Sequence, residues 1–154
     1  MTLAEARAVN ERVLELDLFI PITPKGQGRP RFDPRSRRAY TDKVTRAYIG
    51  AVRTAAELQW GDREPLQGPV ALSVLAFFAL PVSARGKPRT HHVQRPDSSN
   101  ILKAAEDALL PLVIKRETVW AGVICDDAQV IDARVSKQWS LCAAAISIQV
   151  WSIV

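Results

Sequence analysis

The stretch Arg95-Pro-Asp-Ser-Ser-Asn-Ile-Leu-Lys103, continuing as Ala104-Ala-Glu-Asp-Ala-Leu109, decides how this chain is read. Pro96 keeps the residue before it out of the helical region. Ser98, Ser99 and Asn100 are capping types, so a helix is predicted to begin near Ser98. Ile101, Leu102, Ala105, Ala108, Leu109 and Leu112 recur with the helical period and give it one apolar face. Ser99, Asn100, Lys103, Glu106 and Asp107 fall on the opposite side, as an ordinary solvated face would. They gain a second meaning from Asp126-Asp127, which open another apolar, strand-like run. Two acidic clusters at element ends, beside a lysine and many arginines, have the chemistry of a divalent-metal phosphodiester site.

Upstream of this helix, Val70 to Leu80 is almost wholly apolar and stops at Pro81, which suits a strand buried on both faces. Thr41 can cap a helix running to about Trp60, with Val44, Ala47, Tyr48, Ala51, Val52, Ala55 and Leu58 on its apolar side. Leu18, Phe19, Ile20 and Ile22 read as a first strand. Residues Thr2 to Leu16 mix Ala, Glu, Arg and Leu in a helix-forming pattern, so residues 1–16 are expected to be a helical extension and 17–154 a single domain. Downstream, Ala121 to Ile124 reads as a short strand delivering Asp126 and Asp127. Gln129 to Trp139 and Ala143 to Val154 alternate as strands. The fold class is α/β (α+β), a small mixed sheet of about four strands packed against helices.

At 154 residues with 47% hydrophobic residues, the chain can build a conventional core, and general disorder is excluded. No apolar run is long enough to span a membrane. The start Met-Thr-Leu-Ala-Glu lacks a basic segment followed by an apolar one, so no secretory signal is expected and the protein is placed in the cytoplasm. Cys125 and Cys142 have no zinc-ligand spacing and are expected to be buried thiols.

The net charge of +5 favours an acidic partner, and the distribution sharpens this. Lys25, Arg29, Arg31, Arg35, Arg37 and Arg38 share one loop with the acid Asp33. Arg85, Lys87, Arg89 and Arg95 share a second loop without any acid, alongside His91 and His92. Both loops read as phosphate-tracking surfaces. The glycines and prolines from Pro24 onward argue against regular structure in the first loop. Phe32 and Tyr40 flanking its charges argue for function rather than disorder. Lys43, Arg46 and Arg53 either extend the basic face or are simply solvated.

Taken together, Lys25-Gly-Gln-Gly-Arg-Pro-Arg-Phe32, Arg95-Pro-Asp-Ser-Ser-Asn-Ile-Leu-Lys103 with Asp107-Ala-Leu109, Asp126-Asp127-Ala-Gln-Val130 and Lys137 resemble the RusA family of Holliday junction resolvases. These small endonucleases are often carried by phages and prophages. The resemblance implies Asp97 and Asp127 as catalytic aspartates, Lys103 as the catalytic lysine and Asn100 as the motif asparagine. Lys137 and the arginine loops would bind DNA. It also implies Mg2+ (Mn2+ in its place), held by Asp97 and Asp127 with Glu106 or Asp126. The partner would be a four-way DNA junction, bound by a homodimer that nicks two strands of like polarity.

The family motif Asp-x-Asp-Asn-Leu-x-Lys has Ser99 where its second aspartate stands, and a serine hydroxyl is a poor Mg2+ ligand beside a carboxylate. Either catalysis is weakened or lost, leaving a branched-DNA-binding protein, or the missing carboxylate is relocated to Glu106. Glu106 lies two helical turns on, in the same angular sector, about 10 Å along the axis. Other readings are a binding module without catalysis and a protein whose carboxylates only pair with arginines.

Overall fold

Val70 to Ala79 is apolar at nearly every position, and a strand of that kind needs cover on both faces and partners on both edges. A computed structural model describing residues 11–87 and 90–154 supplies partners on both edges but helices on one face only, so Ser73, Leu75 and Phe77 are half-buried and the expectation of a strand buried on both faces is corrected. The chain runs β1 (Arg12–Ile20), β2 (Arg31–Asp33), β3 (Arg38–Tyr40), α1 (Lys43–Trp60), β4 (Val70–Ala79), α2 (Ser98–Leu109), β5 (Leu112–Ile114), β6 (Glu117–Trp120), β7 (Val130–Ser140) and β8 (Ala145–Ile153). The main sheet has four strands in the order β1-β8-β4-β7. β4 is parallel to β7 and antiparallel to β8, and β8 is antiparallel to β1. The mixed α+β class expected from the sequence is what forms.

One face of the sheet carries the helices. Across it run rows such as Leu18, Ile148, Val74 and Val135, and two residues along, Ile20, Ile146, Ala76 and Lys137. Against these rows α1 buries Tyr48, Ile49, Val52, Ala56 and Trp60, and α2 buries Ile101, Ala104, Ala105, Ala108 and Leu109. The row ending on Lys137 therefore finishes the helix-covered face with a charge.

Several expectations change. Arg12 to Leu16 is strand, not helix, because β1 extends back along β8 and alternates Leu16, Leu18 and Ile20 into the core. Glu11 is not helical, and the rest of the expected N-terminal helix, residues 1–10, lies outside the described residues. The basic loop is irregular only to Pro30; from Arg31 to Tyr40 it forms the hairpin β2–β3. Asp33 organises that turn, accepting from the Arg35 amide at 2.9 Å and the Ser36 hydroxyl at 2.8 Å, and these bonds hold its carboxyl below the usual range.

α1 is capped by Asp42 rather than Thr41; the Asp42 carboxylate accepts from the Thr45 amide at 3.0 Å and its hydroxyl at 2.8 Å. Its buried stripe is rotated from the expected one, so that Leu58 is 81% and Val44 59% exposed. The sheet and α2 choose the stripe, not the helix's own composition. Residues 112–120 form a second hairpin, with Lys115 at φ 50 and Arg116 at φ 70 making its turn. Ala121 to Ile124 is not a strand; only Ile124 bridges, to Leu66. Both cysteines are exposed rather than buried.

Candidate active site

Asp97 occupies the N-cap of α2 with extended backbone (φ −69, ψ 147), and its side chain makes no capping hydrogen bond. Its carbonyl accepts from the Asn100 and Ile101 amides, both at 3.1 Å, so the helix starts here without consuming the carboxylate. Ser99 is exposed on the first turn. The root of the basic loop lies against the same turn. The Gln27 amide donates to the Asn100 carbonyl at 2.9 Å. A Cβ on Gly26 would stand 2.8 Å from Asn100 Cβ and 2.9 Å from Pro96 Cβ, so this approach requires glycine. Asn100 is thus engaged, half-buried, with the basic loop.

Farther along α2, the Lys103 ammonium bridges Asp107 Oδ1 at 3.1 Å and Asp127 Oδ2 at 2.9 Å. The Asp127 hydrogen bond, then Asp107, raises the lysine's pKa, while the same contact holds the Asp127 carboxyl below its ordinary value. Glu106, half-buried beside them, is pushed up, chiefly by burial and also by the charges of Asp127 and Asp107, with Lys103 opposing. Lys103, Glu106 and Asp127 are therefore one electrostatic unit. Asp97 sits at the start of the same helix, about 9 Å along the axis from Lys103.

The Asp126-Asp127 turn reaches this place by a chain of short bonds. Val123 and Ile124 donate their amides to the Leu109 carbonyl at 2.8 and 3.3 Å. Gly122 (φ 88) permits this, since a Cβ there would stand 2.8 Å from that oxygen. Asp126 then caps a 3-10 turn over Asp127–Gln129, its Oδ1 accepting from the Ala128 amide at 2.8 Å. Gln129 closes the turn: its Oε1 accepts from the Cys125 and Asp126 amides at 2.6 and 3.0 Å. Its Nε2 donates to the Leu66 and Gly68 carbonyls at 2.7 and 2.9 Å. All four hydrogen-bonding positions of the amide are filled.

Sequence reasoning quoted Gln129 and Asp107 only as members of motifs, and gave Arg53 only a place on an extended basic face or in solvent. The Lys103–Asp107 spacing, one helical turn, is the signal that could have found Asp107. Arg53 donates to the Asp107 carbonyl at 2.7 Å and lines a cavity of about 440 Å³ with Arg46, Gln27 and Asp107. Burial lowers its pKa, with Asp107 and Glu57 opposing.

Lys25, Arg29, Arg31, Arg35, Arg37 and Arg38 are all exposed, as are Arg85, Lys87 and Arg95. Arg89 lies outside the described residues. His91 is exposed and His92 buried. The Lys137 ammonium donates to the Gln94 and Pro96 carbonyls at 2.7 and 2.9 Å.

Among the described residues no three His, Cys, Asp or Glu side chains gather closely enough to hold a metal ion by themselves. Mg2+ commonly takes one or two carboxylates and fills its shell with water and substrate phosphate. The donor set suits that pattern. Asp97 offers a carboxylate free of capping duty, and the position between Asp107 and Asp127 already accepts a cation, the Lys103 ammonium.

A mixed sheet with helices on one face carries carboxylates around a helix lysine with basic loops beside them, a set of groups suited to phosphodiester chemistry. Residues 21–151 match the family described as Endodeoxyribonuclease RusA, so the chain belongs to the RusA endodeoxyribonuclease family. It is also 27% identical over 127 residues to "Uncharacterized protein YqaN" of Bacillus subtilis (strain 168), covering 76% of this chain and 82% of that protein. Among the described residues no helix is long and apolar enough to cross a membrane.

Proposed function

We propose that this protein is a structure-selective endonuclease that resolves four-way (Holliday) DNA junctions by paired nicks, as a homodimer, in DNA recombination and repair. The observation that carries this is the Lys103 ammonium between Asp107 and Asp127, with Glu106 alongside, on the helix that Asp97 begins. A junction with two-fold symmetry calls for a two-fold symmetric enzyme with one site per subunit.

Asp97 and Asp127 would hold Mg2+ or Mn2+, with Glu106 or Asp126 completing or orienting the shell. Such an ion would supply Lewis acidity toward a scissile phosphate and the attacking water. Lys103, kept protonated by its two carboxylates, presents positive charge to the phosphate oxygens. The arginine loops grip backbone on either side and read junction shape rather than sequence. Relocation to Glu106 of the carboxylate missing at Ser99 is favoured over its loss because Asp97, Lys103, Asp126 and Asp127 are all retained.

The second reading, a catalytically weakened or inactive junction binder, draws support from the lack of three gathered metal ligands among the described residues. Cleavage of a synthetic four-way junction with Mg2+ or Mn2+ decides between them, with Asp127→Asn as the inactive control. Nicking by the wild type that Glu106→Gln reduces as much as Asp97→Asn supports relocation. An inactive wild type that Ser99→Asp switches on supports the binder.

A further inference from the structure

We propose that Lys137 is a positioning residue for Asp97: its ammonium holds the chain leading into α2 instead of contacting DNA. This rests on Asp97 acting as proposed above. Lys137 stands on the helix-covered face of β7, in one row with Ile20, Ile146 and Ala76. A half-buried ammonium in that row needs hydrogen-bond acceptors, and it finds the Gln94 carbonyl at 2.7 Å and the Pro96 carbonyl at 2.9 Å. The Pro96 carbonyl belongs to the peptide that joins it to Asp97. Fixing it fixes where α2 begins and where the Asp97 carboxylate is presented.

The preceding residues are tied to the same strand. The Trp139 amide donates to the Thr90 carbonyl at 2.9 Å, and the His92 amide to the Lys137 carbonyl at 3.2 Å. The His92 ring stacks on Phe78 at 3.8 Å between centroids and tilts against Trp139 at 4.4 Å. Burial, with the Lys137 charge, lowers the His92 pKa. From Thr90 to Pro96 the chain is therefore clasped to the end of β7 by backbone, ring and ammonium. Lys137 supplies the contact nearest Asp97.

The test compares Lys137→Met, which keeps the stem and removes the ammonium, with Lys137→Arg, which restores donors. Three quantities are read: junction affinity against salt, single-turnover nicking, and hydrogen exchange at the Asn100 and Ile101 amides in the DNA-free protein. Lys137→Met is expected to leave affinity and salt slope unchanged, to speed exchange at both amides about tenfold and to slow nicking by about 10²-fold. Lys137→Arg is expected to recover part of both losses. Unchanged exchange in Lys137→Met overturns the proposal. So does weaker binding with a salt slope shallower by about one, the signature of a lost phosphate contact. If the wild type does not nick, the resolvase reading fails, while exchange and affinity still decide the role of Lys137.

Discussion

The two ends of α2 hold their aspartates in opposite ways. At the far end, Asp127 is wired: Lys103 bridges it to Asp107, Asp126 caps its turn, and Gln129 stitches that turn to residues 66–68 with every donor and acceptor it has. At the near end, Asp97 is exposed, its side chain makes no cap, and Ser99 beside it brings no charge. What fixes Asp97 is backbone, held through Lys137 and Gly26. One carboxylate is placed by side-chain pairing, the other by the path of the chain. The difference teaches where each half should break.

The largest expected effect comes from removing either charge. Asp97→Asn and Asp127→Asn should each lower junction nicking by about 10³-fold, with binding unchanged or tighter because negative charge near DNA is gone. The comparison predicts a secondary difference, seen in thermal titration. Asp127→Asn disturbs its partner Lys103, whereas Asp97→Asn leaves stability almost untouched. Equal destabilisation by both would erase the distinction between a wired and an open aspartate.

Reversing Arg29 and Arg31 to Glu should act through the open end, where the basic loop abuts α2 at Gly26 and Gln27. Junction affinity should fall roughly 30-fold at physiological salt, equally for all sequences. The wild-type log–log salt slope should be about −5 if about six phosphates are neutralised, and shallower in the variant. A flat salt dependence in the wild type would remove the loop from the interface.

Gln129→Met should sharpen the contrast from the other side. It strands two amides and two carbonyls near the Asp127 turn, and the expected cost is about 2 kcal/mol of stability by denaturant titration. Exchange should quicken at Cys125 and Asp126 but not at Asn100 or Ile101. Parallel quickening at all four would mean that the two ends are one cooperative unit.

The smallest effect is on pH dependence and has opposite signs at neighbouring residues. Asp127 has a lowered pKa, so its stabilising contribution is present above the unfolded value and lost as pH falls through the folded one. Glu106 has a raised pKa, so its contribution is full below the unfolded value and lost as pH rises through the folded one. Glu106→Gln should therefore match the wild type in acid and melt slightly higher near pH 7, while nicking less. A lower melting temperature at pH 7 would show that Lys103's attraction outweighs burial at Glu106.

Much of this was legible along the chain. The apolar run of β4, the alternation of β7 and β8, and the period of α2 are local signals, and each element formed close to where the pattern put it. The two basic loops and the acidic clusters were likewise named by residue type and order, and the roles of Asp97, Asp127 and Lys103 by the family resemblance. Partners distant in sequence decided the rest. The helix-forming composition of Arg12 to Leu16 yielded to pairing with β8, because a strand there buries Leu16 against Val150's row. The stripe that α1 buries was set by where the sheet and α2 lie. Lys137 sits on an alternating strand like any exposed lysine. Only the path of residues 94–96 across its tip turns it into an anchor. Gln129 spans more than sixty residues to reach Leu66 and Gly68, and no periodicity carries that information. Local pattern determines which elements form and which charges are available. Which charges meet, and which are consumed in holding the others, is a property of non-local hydrogen bonds that exist only after the sheet has closed.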